Sequence, residues 1–201
     1  MEDQTLEQEI RKAAIPNGLI YGIVALVMGI LAFYYITTMA TTLAGLTAVP
    51  FVLSVIVPVV VAIFLTINLR KKIGGYWTFR QAVSGIFIMF FIGFLISYIG
   101  RDFLFAKLIE PDMVQKTENA FIGPMTRMME KSGLDQDKID QQLDKFKENF
   151  DTQKVTTIGG IAKNVVIAIL LMFVFSLVFA AIFKRERPLF DTPLETDKEV
   201  L

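Results

Sequence analysis

The chain has 201 residues, 54% of them apolar, and its 20 Lys and Arg balance 20 Asp and Glu, so no basic surplus points to nucleic acid. It contains no Cys and no His, which excludes disulfides, thiolate nucleophiles, imidazole bases and the common zinc, copper and haem ligand sets. The apolar residues gather into four blocks with the charges almost wholly outside them, the make-up of an integral membrane protein.

Residues 1–12 are polar, with Glu2, Asp3, Glu7 and Glu9 ahead of Arg11-Lys12, and read as a short cytoplasmic tail with at most a frayed amphipathic turn through Leu6 and Ile10. The first apolar block, about 15–39, would be some 37 Å long as a helix, too long for a cleavable signal and long enough to span a bilayer with tilt. Pro16 falls in its first turn, where proline is tolerated. Small residues then recur at Gly18, Gly22, Ala25, Gly29 and Ala32 along one helical face. In lipid such a face allows close backbone approach, so it is expected to meet another helix, either a neighbouring span or a second copy of the chain.

Thr37 to Thr47 is uncharged and reads as a turn between antiparallel helices. A second span is expected over about 49–69, with Pro58 near its middle predicting a kink and a freed carbonyl near Ser54. Next come Arg70, Lys71, Lys72, the Gly74-Gly75 turn, Tyr76, Trp77 and Arg80, which together outline a membrane boundary of snorkelling cations and interfacial aromatics. Thr78 with Gln81 has the form of a capping box opening a third span, about 79–100, in which Gly85 and Gly93 are further packing positions.

The apolar run meets Arg101-Asp102 and continues to Ile109, so the third helix is expected to protrude or bend along the membrane surface. Residues 110–157 form the one sizeable polar insertion. Met113–Ala120 and Met125–Lys131 read as two short helices broken at Gly123-Pro124. A third, about Gln136–Asn149, carries Ile139, Leu143, Phe146 and Phe150 on one face, able to pack within the cap, lie on lipid or meet a partner. The last span, about 160–183, offers Ser176 and Ala180 as a small-residue contact face; Lys184, Arg185 and Arg187 close it, and 188–201 reads as a disordered cytoplasmic tail.

Arg11-Lys12, the 70–80 cluster and Lys184 to Arg187 all fall on one side of such a layout, which by the positive-inside rule is the cytoplasm. The expected fold is an all-α integral membrane protein: a four-span domain, 13–183, with a small helical extracytoplasmic cap between the third and fourth spans and both termini cytoplasmic. The Lys-Lys-x-Gly-Gly-Tyr-x-Thr-Phe-x-Gln-Ala pattern of residues 71–82, the polar segment before the last span and the basic-then-proline exit at Lys184 to Pro188 resemble the four-helix membrane family of Bacteroidota catalogued as domain of unknown function 4199. The resemblance implies an inner-membrane protein with a periplasmic cap, and brings no activity, substrate or catalytic residue.

Apart from Arg80 at the start of the third span and Lys163 near the outer end of the last, able to snorkel, the spans hold no Asp, Glu, Lys or Arg, although charged groups there usually mark transport or catalysis. The expected function is therefore a non-enzymatic scaffold or accessory subunit, with membrane lipid and a membrane-protein partner or second copy as its contacts and no cofactor or metal. The alternatives are a small transporter or oligomeric channel component and, with less support, an enzyme on a lipid-borne substrate using Arg101 with Asp102, Glu110 or Asp112.

Overall fold

The computed structural model describes residues 2–154 and 158–186, with side chains over 7–151 and 159–186. Arg187 and the 188–201 tail lie outside the described residues. Helix α1 runs over Glu2–Tyr34 and continues through a π-helical turn, Tyr35–Met39. Helices α2 (Leu43–Phe51) and α3 (Val57–Lys72) are joined end to end by a second π-helical turn, Val52–Ile56. Helix α4, Phe79–Tyr98, widens into a π-helical segment, Ile99–Ile109. Helices α5 (Met113–Lys131) and α6 (Gln136–Lys154) form the cap, and α7 spans Ile158–Phe183. Four continuous helices, Glu7–Met39, Leu43–Lys72, Phe79–Ile109 and Gly159–Phe183, are long and apolar enough to cross a membrane.

Several boundaries differ from the sequence reading; the turn read as Thr37 to Thr47 shrinks to residues 40–42, and the second long helix begins at Leu43, because Thr42 caps it by accepting from Gly45 N–H. The segment read as a tail is the first turns of α1, because Ile10 and Ala14 are buried in the tertiary core and hold it helical. Residues 113–131 form one helix, with Pro124 inside it and buried. The proline therefore does not break this helix, and a second full amphipathic helix packed along it outweighs the one lost amide. In the second long helix Pro58 sits in the first turn of α3, just after the π-helical turn, where Val57 N–H reaches Val52 O. The ladder thus changes register where the proline amide is missing.

Helices α1 and α4 make the most extensive contact and form the centre. Gly18 and Gly22 explain how. A Cβ at Gly18 would lie 2.7 Å from Met89 O, and one at Gly22 would lie 2.9 Å from Gly93 O. The backbones touch where only hydrogen fits, and Gly93 in turn accepts the Tyr21 ring. Helix α3 then rests on α1 and α7 on α4, with Ser176 and Ala180 fully buried. Gly18, Gly22, Gly85, Gly93, Ser176 and Ala180 are consumed by packing within one chain.

The turn between α3 and α4 needs Gly74 and Gly75, whose φ values are +94° and +84°. The capping box is formed: Thr78 Oγ1 accepts from Gln81 N–H, and Gln81 Oε1 accepts from Thr78 N–H. In the cap Ile139 is buried, Phe146 lies between Phe121 and Phe150 with tilted ring contacts to both, and Leu143 is half-buried. The stripe considered as a partner face is therefore turned largely onto α5, since an amphipathic helix gains most by covering its apolar side within its own protein.

Candidate functional site

At one end of the four long helices lie the basic residues read as boundary anchors. Trp77 is only 2% exposed, packed with Ile10 and Leu69 around Gly85, and its indole N–H donates to Phe183 O at 2.9 Å. It is a buried plug. An interfacial ring would keep its polar edge in the headgroup layer, but Gly85 leaves room for the whole indole, and a helix-end carbonyl satisfies its only donor. Arg70 Nη1 donates to the same Phe183 carbonyl at 3.3 Å, so the last turn of α7 is capped by a cation and an indole. Trp77 and Arg185 exchange backbone hydrogen bonds of 2.9 and 3.3 Å, and the Arg185 guanidinium lies 5.4 Å from the Tyr76 ring centre. Lys184 pairs with Glu186 at 4.0 Å, while Lys71 and Arg80 are exposed.

Two polar residues near this end and at the α1–α4 seam were not singled out from sequence. Asn17, 1% exposed, donates through Nδ2 to Leu65 O at 3.2 Å and accepts from Lys72 Nζ at 3.4 Å, tying α1 to α3. Ser97 Oγ donates to Gly22 O at 3.1 Å, tying α4 to α1. An uncharged polar residue inside an apolar run was the available signal in both cases.

Because α3 rests on α1 while α7 rests on α4, a cleft remains between α3 and α7, floored by the central pair. Its apolar part, about 320 Å³, is lined by Tyr21, Val55, Pro58, Val59, Ala62, Phe90, Met172, Phe175 and Phe179. Toward the cap it joins a more polar mouth of about 380 Å³ that includes Gly29, Tyr98, Arg101, Asp102 and Asn164. Ala25, Ser54, Phe94 and Ser97 line both parts.

Local structure places the mouth residues. The helix widens to π geometry at Ile99, so Arg101 and Asp102 leave the register of α4. The Arg101 stem then lies over Gly29, with Cδ 3.4 Å from where a Cβ would stand. Ala25 and Gly29, read as positions facing another helix, also line this mouth, and Gly29 is buried beneath Arg101 of the third long helix; Ala32 is buried. Arg101 Nη2 meets Asp102 Oδ1 at 3.5 Å, with side chains 46% and 40% exposed.

The cap end carries a second polar cavity, about 480 Å³, lined in part by Tyr34, Thr37, Glu110 and Lys116. Glu110 accepts from Tyr34 Oη at 3.3 Å and pairs with Lys116. The hydrogen bond to Glu110 raises the Lys116 ammonium above its ordinary 10.5. Arg127 Nη2 donates to Thr41 O at 2.7 Å, fastening the cap to the turn between α1 and α2. Asp112 is exposed ahead of α5.

Four helices of membrane-crossing length, a cleft between two of them and a helical cap define the class: an all-helical protein with the make-up of a multi-pass membrane protein. A family model described as "Protein of unknown function (DUF4199)" matches residues 17–185, and the chain belongs to that family. No curated protein and no solved structure matches the chain.

Proposed function

We propose that this chain is a non-enzymatic inner-membrane protein of a member of the Bacteroidota, a scaffold or accessory subunit that holds a membrane-borne partner at the cleft between α3 and α7. Both termini lie in the cytoplasm and the α5–α6 cap in the periplasm. The observation that carries the reading is the distribution of used and unused surface. Gly18, Gly22, Gly85 and Gly93 and most of the stripe of α6 are spent on internal packing, whereas the cleft is left unsealed along its length. Orientation follows from Arg11, Lys12, Arg70, Lys71, Lys72, Arg80, Lys184 and Arg185 all standing at one end.

Crosslinking in native membranes from a photoreactive residue at Val59, on the cleft wall, tests the reading. A recurrent adduct with one species supports it, and labelling in proportion to bulk membrane composition overturns it. A small transporter or oligomeric channel component is the second reading, favoured by the continuity of the more polar mouth with the apolar cleft. Reproducible solute flux in liposomes above empty vesicles would establish that reading in place of the first.

A further inference from the structure

We propose that the α3–α7 cleft is a specific site for one phosphoethanolamine glycerophospholipid, its phosphate on Arg101, its primary ammonium on Asp102 and an acyl chain in the apolar groove. The assignment rests on the chain being a bilayer-embedded scaffold and names what its cleft holds.

The shape suits a lipid. The groove and the mouth share Ala25, Ser54, Phe94 and Ser97 and so run end to end, apolar and then more polar, the order of an acyl chain and its headgroup. From Asn164 at the mouth to Phe179 at the inner end the cleft follows α7 for about 22 Å at 1.5 Å per residue. That accommodates a headgroup and then an acyl chain of about one leaflet, half of a roughly 30 Å hydrocarbon core.

The charges favour a zwitterion. A guanidinium and a carboxylate 3.5 Å apart, each about half exposed, form a loose ion pair that contributes little by itself and is readily opened. A phosphate beside a primary ammonium presents the complementary pair at similar spacing, and the guanidinium fork can meet the phosphate through two N–H donors. A quaternary ammonium has no N–H to donate to Asp102. A phosphoglycerol headgroup offers that carboxylate only neutral hydroxyl donors and no cation. Gly29 lies under the Arg101 stem, where a Cβ would make an ordinary contact of 3.4 Å with Arg101 Cδ and a longer side chain would press on the stem.

The test is native mass spectrometry of the full chain, delipidated in detergent and titrated with phosphoethanolamine, phosphocholine and phosphoglycerol lipids carrying the same acyl chains. One bound phosphoethanolamine lipid is expected, about tenfold tighter than either of the others, the scale of one charge-assisted hydrogen bond. Asp102→Asn should erase the preference over phosphocholine. Arg101→Gln should weaken all three, and Ser54→Leu, at the junction of mouth and groove, should block the chain. Equal binding of the three lipids, or a preference unmoved by Asp102→Asn in a variant with unchanged helicity, overturns the proposal. Asp102 is exposed, so this variant does not depend on repacking a core. The Val59 crosslink separates the two levels. A recurrent protein adduct there, with no selective lipid, sinks the lipid site and leaves the scaffold reading standing, and neither a protein nor a selective lipid sinks both.

Discussion

Residue by residue, burial overrules the usual habits of side-chain types here. Trp77 stands beside a cluster of cations, yet it is enclosed by Ile10, Leu69 and Gly85. As it is the one tryptophan in the chain, its emission is expected to be blue-shifted and poorly quenched by aqueous acrylamide, which an interfacial ring would not be. Trp77→Ala should lower stability by about 3–5 kcal/mol, read from thermal unfolding in detergent, because it leaves a cavity and removes a donor from the end of α7. Thr66 predicts the opposite sign. Its Oγ1 is the buried side-chain atom without a hydrogen-bond partner among the described residues. Thr66→Val keeps the shape and removes the unpaired hydroxyl, so a gain of about 1 kcal/mol in the same measurement is expected.

At the scale of elements, the α1–α4 seam depends on the absence of side chains. Gly22→Leu would place a Cβ 2.9 Å from the Gly93 carbonyl, which is backbone and has no rotamer to yield. A loss of at least about 1–3 kcal/mol should follow, seen as a lower unfolding midpoint. Gly123→Ala is the control within a helix: nothing lies within 4 Å of its Cβ position, and a gain of about 0.4–1 kcal/mol is expected. The cap is held differently, through the Tyr34–Glu110–Lys116 cluster and Arg127. The folded Lys116 pKa is raised above 10.5, so its contribution is fully present below that pH and is lost as pH rises through the folded value. Hydrogen exchange in α5 should therefore be unchanged between pH 7 and 9, after correction for intrinsic rates, and accelerate only in strong alkali. Lys116→Met should abolish that alkaline step.

For the whole molecule, the prediction concerns sidedness. Since the chain has no cysteine, single substitutions report without background. Lys131→Cys in the cap should react with a membrane-impermeant maleimide once the outer membrane is opened. Lys12→Cys should react only after the inner membrane is also breached. Labelling of both under the first condition would refute the proposed orientation. The same arrangement gives the cleft its biological sense: the mouth belongs to the cap side, and the groove runs from there toward the basic end.

By itself the sequence determined the four apolar helices, the capping box at Thr78 and the likeness to one family. These are properties of local hydropathy and short-range hydrogen bonds, and they need no partner segment to be legible. Gly18 and Gly22 were also readable as a contact face, although not which helix they would touch. Only the tertiary structure decided that Trp77 is a plug, that Pro124 lies inside a helix and that residues 2–12 continue α1. Those outcomes depend on packing against residues far along the chain. The cleft belongs to the same class. Arg101, Asp102, Gly29, Ser54 and Asn164 come from four different stretches of sequence, and no spacing along the chain encodes their meeting. What brings them together is that α3 packs on α1 and α7 on α4, leaving the space between α3 and α7 open.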